Sequence, residues 1–413
     1  MRTLRLIIFM GLLLGAALPA VAQQTSPSQD STSASSTQQS SQAQSQSLTL
    51  DQIYKAIAVG PELFDRALTS ANDGDLKRAL LDTSTFLLLN PTASEAYAIR
   101  AQIYQQMGDN DLALRDLGYA LDYTATSPDS TVRIYLARAN IYVNQNQLDL
   151  AMNDLNASLD LVPESPAPRL LRARIERFQG DFSAASDDYD TLIQQNPNES
   201  SYYVERGDLS MAQNNQDAAL QDFDSAIALN PQADDAYAMR ALIKSSTNKL
   251  ADALSDINHA IDINPQSSQY YLMRGAINAQ DQNVKGSAED YFQWIMRNLT
   301  EFHEASNTLT QSGTFTVPMA DGQVFGIPFQ ASAGQQVSLS ARHAPSDTTV
   351  DPLLVVLDVN GDPIVADDDS GGNMDALILG YKIPEDGEYT LLVGHAASGG
   401  QGNITVIVDL GDN

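Results

Sequence analysis

Two hydrophobic periods divide the chain. From about residue 60 to 301 small and apolar positions return at helical spacing in blocks 34 residues long, and past 311 apolar and polar residues alternate. In the first region a small residue (Ala67, Ala101, Ala139, Ala173, Gly207, Ala241, Gly275) is answered twelve residues on by another (Ala79, Ala113, Ala151, Ala185, Ala219, Ala253, Ser287). Small residues so placed let two helix axes approach closely. Between them lie turn formers such as Gly108-Asp109-Asn110, Gly180-Asp181 and Asn214-Asn215, and blocks tend to close on Asn-Pro, as at Asn230-Pro231 and Asn264-Pro265. The pattern predicts seven antiparallel helix pairs stacked as a solenoid.

The second region predicts strands over 314–317, 324–330, 336–341, 353–358, 363–366, 377–382, 389–394 and 403–409, separated by turns such as Asn360-Gly361-Asp362 and Asp386-Gly387. About eight short antiparallel strands in some hundred residues imply a β-sandwich. The expected fold class is therefore multidomain, an all-α helical-pair solenoid followed by an all-β sandwich. Trp294 stands where the last second helix should carry a small residue, so that helix is expected to run on towards Glu304 and cap the stack.

Charge keeps the same phase. Arg66, Arg100, Arg138, Arg172, Arg206, Arg240 and Arg274 each precede by sixteen residues Asp82, Asp116, Asp154, Asp188, Asp222, Asp256 and Asp290, with one 38-residue step where 123–130 carries an insertion. Each pair falls on the two helices of one block, where an ion pair would set their register. An aromatic usually sits three residues before the arginine (Tyr97, Tyr135, Tyr203, Tyr237, Tyr271).

On these residues, 60–301 resembles the tetratricopeptide repeat (TPR), and Tyr237, Arg240-Ala241, Ala253, Asp256 and Asn264-Pro265 lie close to the bacterial form of that motif. Blocks one and four depart from it, with Leu63 and Arg169 in place of Tyr and Leu192 in place of a small residue. The resemblance implies protein or peptide binding and scaffolding without naming a partner. Residues 315–410 look like the bacterial pre-peptidase C-terminal (PPC) domain, a jelly-roll-like accessory module of secreted proteins. Ala333-Gly334-Gln335, Asp351-Pro352-Leu353, Asp367-Asp368-Asp369-Ser370 and Asp386-Gly387-Glu388-Tyr389 carry that likeness.

The amino terminus bears on compartment. Arg2 and Arg5 precede an apolar run over 6–18, and Ala20-Val21-Ala22 offers a cleavage position, so 1–22 reads as a secretory signal peptide, leaving no integral membrane span. Residues 23–47 are almost wholly Ser, Gln and Thr and read as a disordered linker. The expected division is then 48–310 for the solenoid with its cap and 311–413 for the sandwich, in a secreted or periplasmic protein. With no cysteine, neither a disulfide nor a lipidated amino-terminal cysteine is available.

The chain carries −29, or −31 once Arg2 and Arg5 leave with the signal, and 311–413 holds fourteen acids against Arg342 and Lys382. Such a field repels nucleic acid. The four histidines, His259, His303, His343 and His395, form no HExxH helix and flank no nucleophile elbow, and no phosphate-binding glycine loop occurs, so an enzyme is not expected.

Candidate binding residues lie on the face of the first helices. Asn140 and Asn144, next to Arg174, Arg177 and Phe178, suit an extended peptide and an acidic or C-terminal carboxylate. A calcium site is the only cofactor the sequence suggests: Asp367, Asp368, Asp369 and Asp375 offer hard oxygen ligands on a glycine-flexed loop, with Asp351 close by. The alternative function is carbohydrate or surface-polymer binding by the sandwich with the solenoid as spacer, which calls for exposed aromatics; Phe325, Phe329, Tyr381 and Tyr389 are the candidates.

Overall fold

The computed structural model describes residues 60–123, 127–320, 322–343, 350–371, 375–396 and 401–411. The expected signal peptide and linker lie outside them. The described residues fall into two compact units, which meet in sequence at Asn196 and Pro197.

The first unit holds four helix pairs: α1 (Gly60–Asn72) with α2 (Leu76–Leu89), α3 (Ser94–Gln106) with α4 (Asn110–Asp122), α5 (Pro128–Asn144) with α6 (Leu148–Leu161), and α7 (Pro166–Gln179) with α8 (Phe182–Gln195). In the second unit come α9 (Ser200–Ala212) with α10 (Gln216–Leu229), α11 (Asp234–Ser246) with α12 (Leu250–Ile263), and α13 (Ser268–Gln280) with α14 (Val284–Asn298). In each unit the helices form successive antiparallel pairs, seven in all among the described residues. Every pair turns on one residue in the left-handed region: Gly74, Gly108, Asn146, Gly180, Asn214, Asn248 or Gln282. The next residue often caps the following helix, as Asp109 accepts from the Leu112 N–H and Asn215 from the Ala218 N–H.

The repeated small residues sit where the helices of a pair touch. Ala79, Ala113, Ala151, Ala185, Ala219 and Ala253 are wholly buried. Where the second helix brings an aromatic to that contact, the first can supply glycine: a Cβ on Gly207 would lie 2.6 Å from the Phe223 ring, and one on Gly275 2.9 Å from that of Tyr291. First helices of successive pairs also touch within a unit, as α1 does α3, α5 does α7 and α9 does α11, which places them side by side on one face.

After α14 the chain forms two sheets. The five-stranded sheet runs β1 (Glu301–Glu304), β3 (Gln323–Ala331), β8 (Gly387–His395), β5 (Pro352–Leu357) and β6 (Pro363–Asp367) in spatial order. The four-stranded sheet runs β2 (Gly313–Met319), β9 (Gly402–Asp409), β4 (Gln336–His343) and β7 (Ala376–Lys382). Among the described strands only β1 and β3 pair in parallel. Phe329, Leu354, Val356, Tyr389 and Leu391 of one sheet share a core with Val317, Leu339, Val406 and Val408 of the other.

One expectation fails here. The last helix ends at Asn298, and Glu301–Glu304 is strand, not a helical continuation to Glu304. Asn298 bonds the Trp294 carbonyl with its side chain, closing the helix, and the N–H groups of Thr300 and Glu301 turn to the Gly322 carbonyl. No helical extension is needed to cover Trp294, because the sheet covers it. Trp294, Ile295 and Tyr291 pack on Val324, Leu353, Val355 and Leu392, the outward face of the five-stranded sheet. Strand β5 is therefore buried on both faces, which explains its unbroken apolar run Leu353–Leu357.

Candidate functional site

The repeated charges are built into the repeat itself. In the pair Arg138 and Asp154, Nε and Nη2 donate to the two carboxylate oxygens at 2.8 and 2.6 Å, and the same two-pronged bond joins Arg100 to Asp116 and Arg240 to Asp256. The aspartates are buried while the arginines stay partly exposed, so these pairs are not loose surface contacts. A third guanidinium nitrogen can reach the second helix of the preceding pair, as Arg172 does to Asn156 and Arg240 to Asp224. One arginine thus ties three helices. The tyrosine three positions earlier lies against the same guanidinium, 5.5 Å away for Arg100 and 5.4 Å for Arg240.

The departures in repeat four have a physical logic. Tyr97, Tyr203 and Tyr271 each donate a hydroxyl proton to a proline carbonyl six residues earlier. Arg169 does the same to the Pro163 carbonyl and also donates to Asp188, alongside Arg172. A second departure lies nearby: Glu176 stands in the register of Tyr104 and Tyr142. Glu176 is buried, its Oε1 lies 3.7 Å from Arg172, and its Oε2 finds no partner. Burial first, and the neighbouring Asp188 second, push its carboxyl up to about 7. The sequence reading passed over Glu176; its phase, four residues past Arg172, is the signal that would have found it.

Of the residues expected to bind peptide, the structure brings all five to the adjacent helices α5 and α7. Asn144 is exposed and Phe178 is 59% exposed, whereas Asn140 turns its amide back to the Leu136 carbonyl. Arg174 and Arg177 are half-buried and already engaged by the protein.

Several of the candidate calcium ligands lie near enough to raise one another, yet each is placed differently. Asp367 accepts the N–H groups of Ser370 and Leu377, and Asp375 pairs with His343 at 3.0 Å. Asp351 is 1% exposed with Oδ1 unpartnered, and burial together with Asp369 and Asp368 pushes it up to about 8. Burial and Asp369 raise Asp368 to about 7, while the Tyr291 hydroxyl from α14 faces it. Among the described residues no three acidic or histidine side chains converge in a way that could hold a metal ion.

The aromatic candidates on the sandwich offer no exposed cluster. Phe329 and Tyr389 are fully buried and stacked at 5.7 Å, Phe325 stacks on His303, and Tyr381 packs against the core between the sheets. Alternation put them on strands but could not say which faced inward.

Tetratricopeptide repeat family models match residues 100–166, 170–234 and 234–267. No curated protein matches the chain. Among solved structures, a tetratricopeptide repeat protein from Parabacteroides merdae is 21% identical, with a TM-score of 0.49 over 59% of this chain and 94% of its own. The C-terminal part of a TPR repeat-containing protein from Cytophaga hutchinsonii is 15% identical, with a TM-score of 0.46 over 56% of this chain and 94% of its own. YrrB, described as a TPR protein with an unusual peptide-binding site, is 21% identical, with a TM-score of 0.38 over 45% of this chain and 95% of its own. The chain carries tetratricopeptide repeats, which are in general protein-interaction scaffolds. Among the described residues no helix is long and apolar enough to cross a membrane.

Proposed function

We propose that this protein is an exported, non-enzymatic scaffold that binds a protein or peptide on the face formed by the first helices, at α5 and α7 of the first unit. The observation that carries the reading is Phe178, an aromatic side chain left 59% exposed at the end of α7, the helix that also carries Arg174 and Arg177, with the exposed Asn144 on the adjacent α5. An exposed ring among polar groups can anchor a partner at little cost to folding. The arginines make this face less acidic than the chain at −29, which suits a segment that is itself acidic or ends in a carboxylate.

The sandwich serves in this account as the terminal cover of the repeats, and its kinship to PPC modules, with their jelly-roll-like form, is part of the same proposal. The test is affinity capture from the exported fraction by the mature protein and by Phe178→Ala and Arg174→Ala/Arg177→Ala variants of unchanged melting temperature. Loss of a reproducibly captured partner in both variants supports the proposal. Undiminished capture by both would remove α7 from the binding face. Point variants are preferable to deletion of 311–413, which would strip the cover from Trp294 and Ile295.

A further inference from the structure

The outward side of the four-stranded sheet carries a groove of about 540 Å³ lined by Gln336, Ser338, Gly380, Lys382, Asp409 and Gly411 among others. A β-bulge builds it. Val337 pairs with Tyr381 and Leu339 with Ile378, so Ser338 alone faces both Leu379 and Gly380. Gly380 takes the left-handed region at φ +58, and its N–H goes to Ser338 Oγ at 3.0 Å. A side chain at Gly380 would be strained, so the floor stays open there for a backbone reason. Leu379, the neighbour of Gly380 on β7, is 71% exposed and puts an apolar side chain next to this polar floor.

The floor offers both hydrogen-bonding senses. Ser338 Oγ accepts from Gly380 and keeps its own proton to donate. Asp409 uses Oδ1 for the Ser312 hydroxyl and the Gly411 N–H, and Oδ2 remains to accept. Gln336 presents an exposed amide that does both, and Lys382, one of two cations in 311–413, is exposed at the end of β7. Hydroxyl groups that donate and accept at once match such a floor, and a single carboxylate matches the lysine. A polyanion of high charge density does not, because the fourteen acids of this region would repel it. The volume lies in the range of small-ligand sites.

We propose that this groove binds a carboxylated sugar, its hydroxyls held by Gln336, Ser338 and Asp409, its carboxylate by Lys382, and a C–H face resting on Leu379. The site is independent of the peptide face on α5 and α7 and needs no aromatic platform. The experiment titrates the full mature protein with galacturonate and its trimer by calorimetry, with galactose as the neutral control, on the parent and on Lys382→Gln and Leu379→Ser. Both substitutions are at exposed positions, and a melting curve checks that each variant folds. Saturable binding of the uronates, several-fold weaker for galactose and weakened about five-fold or more by Lys382→Gln, is the expected result. Absence of saturation at tens of millimolar, equal binding of galactose and galacturonate, or an unchanged affinity in Lys382→Gln would each overturn it.

Discussion

At the scale of single residues, charge decides more than its surface appearance in the sequence suggests. Each repeated aspartate is buried, and what else reaches it sets its state. Burial works to raise Asp256, but hydrogen bonds from Arg240 and Lys244 outweigh it and the net shift is down. Asp290 has Arg274 and only a neutral second partner, Asn278, so burial wins and the net shift is up. A coupling test therefore belongs in repeat three, where Asp154 meets Arg138 alone, and not in repeat six, where a reversed pair would set a new arginine against Lys244. A double-mutant cycle with Arg138→Met and Asp154→Leu is expected to give coupling of about 1–3 kcal/mol, each single change leaving a partner unpaired. Coupling near zero in denaturant melts would mean that the charges act independently. Glu176 offers a second test: its carboxyl is raised to about 7, so its charging between pH 4.5 and 7 costs stability. Glu176→Gln is expected to stabilise by about 1–3 kcal/mol at pH 8 and by nothing at pH 4. An equal effect at both pH values in thermal melts would rule out titration of Glu176 as the cause.

At the scale of elements, the helical part was legible because its repeat carries every instruction seven times over: a small-residue contact, a left-handed turn and a paired charge. All eight expected strands formed within two residues of their expected ends, since alternation and turn residues act locally. What failed was the junction. The change of period near 311 marks where local pattern changes, but β1 lies at Glu301–Glu304, too short to show alternation, and pairs with a partner some twenty residues on. For the candidate binding residues, α5 and α7 could be placed by phase, yet which side chains the fold already engages depends on distant partners. The unbroken apolar runs in β5 and in Leu391–Val393 of β8 were the available sign that a second layer covers the five-stranded sheet. Trp294→Ala should cost about 3–5 kcal/mol, as expected for a large buried ring. Hydrogen exchange should then show lost protection in both α14 and β5. Loss confined to α14 would show that helix and sheet do not stabilise each other.

At the scale of the whole molecule, an acidic chain keeps several of its carboxyls away from water. Asp351 is raised to about 8 and Asp368 to about 7, in each case mainly by burial. A raised carboxyl contributes stability that is full below about pH 4 and lost as pH rises through its folded value. The melting temperature should thus fall from pH 5 to pH 8.5, and Asp351→Asn should flatten that fall; a slope unchanged in the variant would assign the pH dependence to other groups. None of this touches the face proposed to bind. The most direct test of the scaffold account is to select peptides from a random library on the mature protein and measure their affinities for the parent and for Phe178→Ala. The account predicts peptides enriched in acidic residues or a free carboxyl terminus, bound about ten-fold or more weakly by the variant at unchanged melting temperature. Peptides that bind the variant as tightly as the parent would contradict it.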